Sequence, residues 1–245
     1  WHIECSAMSS SILGLPFDIH GGGQDLIFPH HENEIAQSEA AFGKKLANYW
    51  VHNAMVRIDN EKMSKSLNNF ITIEDLLKEF NPAVIRYFVA STHYRKPINF
   101  DSERLDAAKT AYERLKRKII EFKKAQHHGE DLTEEYSSEF LKAINDDLNI
   151  PKAIQVLWQA VNDVKFDTKK KLELLYKFDE VLGLNIKEMK SENVQVSKEV
   201  QKLIDARERL RKNKLWIEAD IIRERIKERG FSIKDTSDGP QAEKI

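Results

Sequence analysis

Apolar and polar positions change their rhythm along this chain, and the changes divide it. Over roughly the first hundred residues the apolar runs are short and broken by glycine and polar clusters. Phe17-Asp18-Ile19-His20 reads as a short strand running into Gly21-Gly22-Gly23. A polar helical pattern follows from about Pro29 to Ala41, and Tyr49 to Ile58 reads as another strand. Such alternation predicts α/β architecture with function at strand ends. From about Asp101 the rhythm turns helical: Leu105, Ala108, Ala111, Tyr112, Leu115 and Ile119 recur at three- and four-residue spacing. Leu141, Ile144, Leu148, Ile154, Leu157 and Val161 continue it. Asn149-Ile150-Pro151 reads as a helix start, since proline is tolerated in a first turn, and Leu172 to Leu182 as a helix closed by Gly183. Residues 187–197 are polar and aperiodic and read as a linker. Two short helices and a Phe231-Ser232-Ile233 strand follow. The expected fold class is α/β followed by α, with domains at 1–100, 101–186 (an antiparallel helical bundle) and 198–245.

Composition narrows the function classes. The chain is 41% hydrophobic and 32% charged with only 9 Gly and 6 Pro, which favours helix. No apolar run reaches the ~18 residues of a membrane span. Cys5 is the single cysteine, so no internal disulfide forms, and a reducing, cytoplasmic setting is expected. The chain opens on Trp1 without the charged segment and apolar run of a secretory signal, and reads as cut from something longer. Net charge is −1, so a nucleic-acid partner would be held by a local basic face. Lys198 to Lys234 supplies one, with 12 Lys or Arg against 7 Asp or Glu.

Three stretches carry candidate chemistry. In Phe28-Pro29-His30-His31-Glu32-Asn33-Glu34, a helix starting near Pro29 puts His30 and Glu34 at i and i+4 on one face. An imidazole nitrogen and a carboxylate oxygen can then converge on one ion, with Cys5 adding a thiolate, and zinc accepts that mixture. A His–Glu pair on a solvated helix and a lone core cysteine satisfy the same spacing. His20-Gly21-Gly22-Gly23-Gln24-Asp25 would let a ligand approach the backbone closely, Asp25 accepting from a ribose or amino group; a glycine triplet is also simply a turn. In Lys62-Met63-Ser64-Lys65-Ser66 two ammonium groups flank a small hydroxyl loop, suited to closing over a polyphosphate and stabilising charge as pyrophosphate leaves. A solvated Lys/Ser loop would read the same way.

Taken together these stretches resemble the cysteinyl-tRNA synthetases. Lys62 to Ser66 is similar to the second signature of class I aminoacyl-tRNA synthetases. Trp1-His2-Ile3-Glu4-Cys5-Ser6-Ala7-Met8, Phe17 to Asp25 and Phe28 to Ser38 resemble that family in order and spacing. The likeness continues through Arg86-Tyr87-Phe88 and His93-Tyr94-Arg95, and resumes in Arg207 to Lys214, Trp216 to Arg223 and Gly230 to Gly239. The resemblance implies the second half of a class I, Rossmann-type catalytic domain, then a helical bundle and a small anticodon-binding domain. It implies a zinc ion on Cys5, His30 and Glu34, with a fourth ligand, a cysteine, upstream of Trp1. It makes Trp1 a wall of the amino-acid pocket and sets His20 and Asp25 near the amino acid and adenylate. Gly22, Gly23, Asp25 and Lys65 would bind ATP, and Lys62 and Lys65 would be catalytic. The implied partners are L-cysteine, ATP with magnesium, and tRNA(Cys), the last held by the basic C-terminal segment and Trp216; a monomer is expected.

Some features depart from the family pattern. No His-x-Gly-His sequence, the family's other class I signature, occurs in the 245 residues. Asn68 stands where a glycine is common, and the chain ends Gly239-Pro240-Gln241-Ala242-Glu243-Lys244-Ile245 without the expected Trp-Arg. The catalytic part also resembles the cysteine ligase of mycothiol synthesis, the runner-up, which joins cysteine to an amino sugar but lacks an anticodon-binding segment. A tRNA-binding fragment inactive by itself is the other alternative.

Overall fold

Strand β1 (Phe17–Gly23) and strand β2 (Ala47–Asn53) pair in parallel, placing His20 beside Trp50 and Gly22 beside His52. In this computed structural model residues 1–58, 61–62, 71–126, 128–190, 197–236 and 239–244 are described, and the chain divides into two compact units, Trp1–Lys190 and Ser191–Ile245. Helix α1 (His2–Ile12) precedes β1, and helix α2 (Glu32–Phe42) joins it to β2. The glycine triplet, read as following the strand, lies within it, paired to Val51, His52 and Asn53. The predicted single strand from Tyr49 to Ile58 is two. After Asn53 the Ala54 N–H donates to the carbonyl of Tyr94 at 2.7 Å, and strand β3 (Val56–Ile58) enters a second sheet. There β3 lies between β4 (Glu61–Lys62), antiparallel, and β5 (Ile98–Phe100), parallel. That redirection comes from a residue forty positions away, so no local signal marks it.

Helices α3 (Ile73–Glu79) and α4 (Pro82–Ala90) lead to the long α5 (Ser102–Lys124). Asp101 caps α5, its carboxylate accepting from Arg104 N–H at 2.8 Å. Of the predicted stripe, Leu105, Ala108, Tyr112, Leu115 and Ile119 are buried and Ala111 is half-buried. Helices α6 (Thr133–Ile144), α7 (Ile150–Asn162) and α8 (Thr168–Leu182) pack with it. Asn149 caps α7 as its position before Pro151 suggests, and Gly183 ends α8 in the left-handed conformation at φ 62°. On α6 the core stripe is Phe140 and Ala143; Leu141, expected inside, is 52% exposed, as is Leu148 in the turn before α7.

One continuous core runs from Ile58 to Met189, crossing the boundary drawn at residue 100. Leu115, Ile119, Leu157, Leu175, Leu184 and Ile186 are sealed in it, each burial worth about 1.5–3 kcal/mol. Exposed ion pairs contribute about 0–1 kcal/mol apiece, so the helical core holds this unit together. The linker expected from 187 starts later: Ile186 and Met189 are buried, and Lys123 Nζ donates to the carbonyls of Lys187 and Met189 at 2.8 Å. Residues 191–196 lie outside the described residues.

The second unit holds α9 (Lys198–Lys212), α10 (Trp216–Lys227) and an antiparallel pair, β6 (Phe231–Thr236) with β7 (Gly239–Lys244), the latter not read from sequence. Its core is small: Val200, Ile204, Ile226 and Ile233. Arg207, 2% exposed, adds a two-pronged bond to Asp235 at 2.7 and 3.0 Å, which ties α9 to β6. Among the described residues no helix is long and apolar enough to cross a membrane.

Candidate metal centre

Three elements bring the candidate ligands together. Cys5 lies one turn into α1. A wide turn, Ile27–His31, follows the short Gln24–Leu26 turn and delivers His30; Glu34 sits in the first turn of α2. Helix α1 buries no apolar side chain against α2. Its buried residue is Ser6, whose hydroxyl donates to Gln37 at 2.8 Å. The contact is thus small and polar, and it leaves room for Cys5 beside His30 and Glu34.

Ligand atoms of Cys5, His30 and Glu34 all lie within 4.8 Å of one another. His30 and Glu34 are 5% and 1% exposed. His30 Nε2 stands 3.1 Å from Glu34 Oε1, yet that oxygen is buried without a well-formed hydrogen bond. An unsatisfied carboxylate oxygen facing a ring nitrogen and a sulfur is costly unless something electropositive sits among them. The donor set, one sulfur, one nitrogen and one oxygen, fits zinc and leaves a position in a tetrahedron. Burial, then the neighbouring Glu34 carboxylate, pushes the Cys5 thiol up.

Around these three stands a layer of rings. His2 Nδ1 is 2.7 Å from His30 Nδ1, and His20 Nε2 is 2.8 Å from Glu34 Oε2. His31, 3% exposed, places Nδ1 2.8 Å from His52 Nε2. Burial, then His20 beside it, pushes the His31 imidazole down from its ordinary pKa. The Trp1 indole lies 4.2 Å from the His30 ring centre, and Trp50 meets His20 edge-on at 4.7 Å. His20, His31 and Glu34 form a second convergent group sharing the same carboxylate.

The other predicted residues are placed as follows. Trp1 is 66% exposed, over His30. His20 points at Glu34, so its nearest role is to hold that carboxylate. Gly22 and Gly23 end β1, and Asp25 is exposed on the turn that follows. A Cβ on Gly22 would come 2.7 Å from His31 Cε1, so packing demands a glycine there; one on Gly23 would meet only the Asp25 carboxylate, the end of an exposed side chain that can move aside. Lys62 closes β4, but its side chain, and Lys65 with residues 63–70, lie outside the described residues. His2, His31, Trp50 and His52 were not singled out from sequence. The clustering of five of the eight histidines within the first 52 residues was the available signal.

A family model described as "tRNA synthetases class I (C) catalytic domain" matches residues 1–110, and one described as "Cysteinyl-tRNA ligase anticodon binding domain" matches 193–241. Proteins named cysteine–tRNA ligase from Francisella tularensis subsp. tularensis and subsp. novicida are each 44% identical, over 250 and 251 residues. Each match takes in 98% of this chain and 54% of the relative, so the chain spans about half the length of the curated relatives it matches. A LeuRS–tRNA–LeuAMS complex from Agrobacterium radiobacter shares the fold, with a TM-score of 0.51 at 16% identity over 71% of this chain and 24% of that one.

Proposed function

Because the chain belongs to the cysteine–tRNA ligase family, we propose that it forms part of an enzyme that activates L-cysteine with ATP and passes it to tRNA(Cys). The observation that carries the selectivity is the convergence of Cys5, His30 and Glu34 within 4.8 Å around an unsatisfied carboxylate oxygen. Zinc held there would supply a good partner for a soft thiolate and a poor one for the hydroxyl of serine. The chain's own residues do the rest. Glu34 is fixed from its second oxygen by His20, and the Trp1 indole, which lies against His30, would wall the amino-acid pocket. Asp25 would accept from the amino acid or the adenylate. Lys62 and Lys65 would stabilise negative charge on the phosphates, with magnesium accompanying ATP. The cysteine carboxylate attacks the α-phosphate, pyrophosphate leaves, and the acyl group moves to the terminal ribose of tRNA.

The match of residues 193–241 to an anticodon-binding model favours tRNA over an amino sugar as acceptor. Zinc content tests the reading. Cys5→Ala should leave the dialysed protein with far less zinc by atomic absorption than the parent, at unchanged helix content by circular dichroism. Equal zinc in the two would remove Cys5 from the ligand set and the thiol-selection argument with it.

A further inference from the structure

His30 has two ring nitrogens, and the structure engages both. Nε2 faces Glu34 Oε1 at 3.1 Å, in the group whose ligand atoms, the Cys5 sulfur among them, lie within 4.8 Å of one another. Nδ1 faces away, 2.7 Å from Nδ1 of His2, the first residue of α1. Two ring nitrogens at that distance share one proton, so one donates and the other accepts. For Nε2 of His30 to offer a lone pair to a metal, its neutral ring must carry the proton on Nδ1. His2 must then accept through Nδ1 and keep its own proton on Nε2. The Trp1 indole, 4.2 Å from the His30 ring and 5.0 Å from the His2 ring, lies against both.

We infer that His2 is a positioning residue: by accepting the His30 Nδ1 proton it fixes the tautomer and ring plane that turn His30 Nε2 toward Cys5 and Glu34. This rests on the zinc reading above. Losing an outer partner of a metal-bound histidine lowers metal affinity roughly 10–100-fold. His2 also occupies the start of the helix that carries Cys5, so one residue aligns two ligands: its backbone begins α1 and its ring orients His30.

Two substitutions separate the hydrogen bond from mere bulk. His2→Leu keeps apolar volume beside Trp1 but has no acceptor. His2→Asn loses the ring but puts an amide oxygen at about the reach of Nδ1. Affinity for zinc is measured on the full chain by chelator competition, and site geometry from the visible spectrum of the cobalt(II)-substituted protein. The expected result is a loss of about tenfold or more for His2→Leu with an altered cobalt spectrum. His2→Asn should stay within about threefold of the parent with the parent's spectrum. If His2→Leu binds as the parent does, or His2→Asn binds as weakly as His2→Leu, the assignment is overturned. If the parent chain itself takes up no zinc while folded, the zinc reading falls first and this inference with it.

Discussion

At Gly22 the strand and the site make opposite demands on one residue. Glycine inside a strand costs roughly 0.5–1 kcal/mol in chain entropy, so a side chain there would ordinarily help. Here a Cβ would meet His31 Cε1 at 2.7 Å and Leu26 Cδ1 at 3.1 Å, and His31 is a buried ring with no room to retreat. Gly22→Ala should therefore destabilise the chain by about 1–3 kcal/mol, the usual cost of overpacking, read as a lower midpoint in urea. A midpoint at or above the parent's would show that the ring yields freely. An ATP-binding defect in this variant would report the displaced ring as well as any lost approach to phosphate. The sequence made His30 and Glu34 legible together because helical spacing is local. It could not show His20 and His52 beside them, because their place depends on the pairing of two strands separated by α2. Nor could spacing tell that His20 would hold Glu34 through its second oxygen.

At the scale of elements, the turn between α6 and α7 shows what helix patterns leave out. Asp147 and Leu148 both take left-handed backbone conformations, at φ 53° and 52°. For a residue such as Leu148 that costs about 1–2 kcal/mol. The turn is held from outside. Asp147 accepts from Arg95 Nε at 2.5 Å and Nη2 at 3.0 Å, and from the Tyr94 hydroxyl at 2.6 Å. The Arg95 bonds, then the Tyr94 bond, pull the Asp147 carboxyl from its ordinary 3.8 down to about 2. A carboxyl lowered by folding stabilises the folded state above its unfolded value, and the stabilisation fades as pH falls from about 4 to about 2. Asp147→Asn tests this cleanly, since asparagine tolerates the left-handed region and lacks the charge. The variant should have a lower urea midpoint than the parent at pH 7, with the gap closing near pH 2. A gap independent of pH would mean that the charge is not what holds the turn. The helix start at Asn149 was readable because its cap bonds to a backbone three residues on; Asp101 and Asp167 cap their helices the same way but were not read as caps. Leu148 misled because its apolar side chain continued the stripe while Arg95, more than fifty residues earlier, dictated the turn.

Over the whole molecule, charge is balanced in sum and uneven in place. Net charge is −1, yet residues 198–234 carry an excess of five positive charges. Composition made that asymmetry legible, and the second unit shows how it is presented: Arg207 is spent inside on Asp235, while Arg209, Lys212 and Lys214 are exposed around the α9–α10 turn. Beside them Trp216 is 56% exposed, with the Arg211 guanidinium 5.8 Å from its ring centre. If this unit holds tRNA, the two kinds of residue contribute in separable ways. Cations that neutralise phosphates release counterions, so each should steepen the fall of affinity with salt by about 0.7–0.9 in log–log slope. A stacked indole adds about 1–3 kcal/mol per base with no such slope. Replacing Arg209, Lys212 and Lys214 together by alanine should flatten the salt dependence of tRNA(Cys) binding by about 2–3, measured by filter binding between about 50 and 200 mM salt. Trp216→Ala should lower affinity at every salt concentration and leave the slope where it was. A triple variant with the parent's slope would move the phosphate contacts off this turn, and a Trp216→Ala slope change would show that the indole acts by placing its neighbouring cations rather than by stacking.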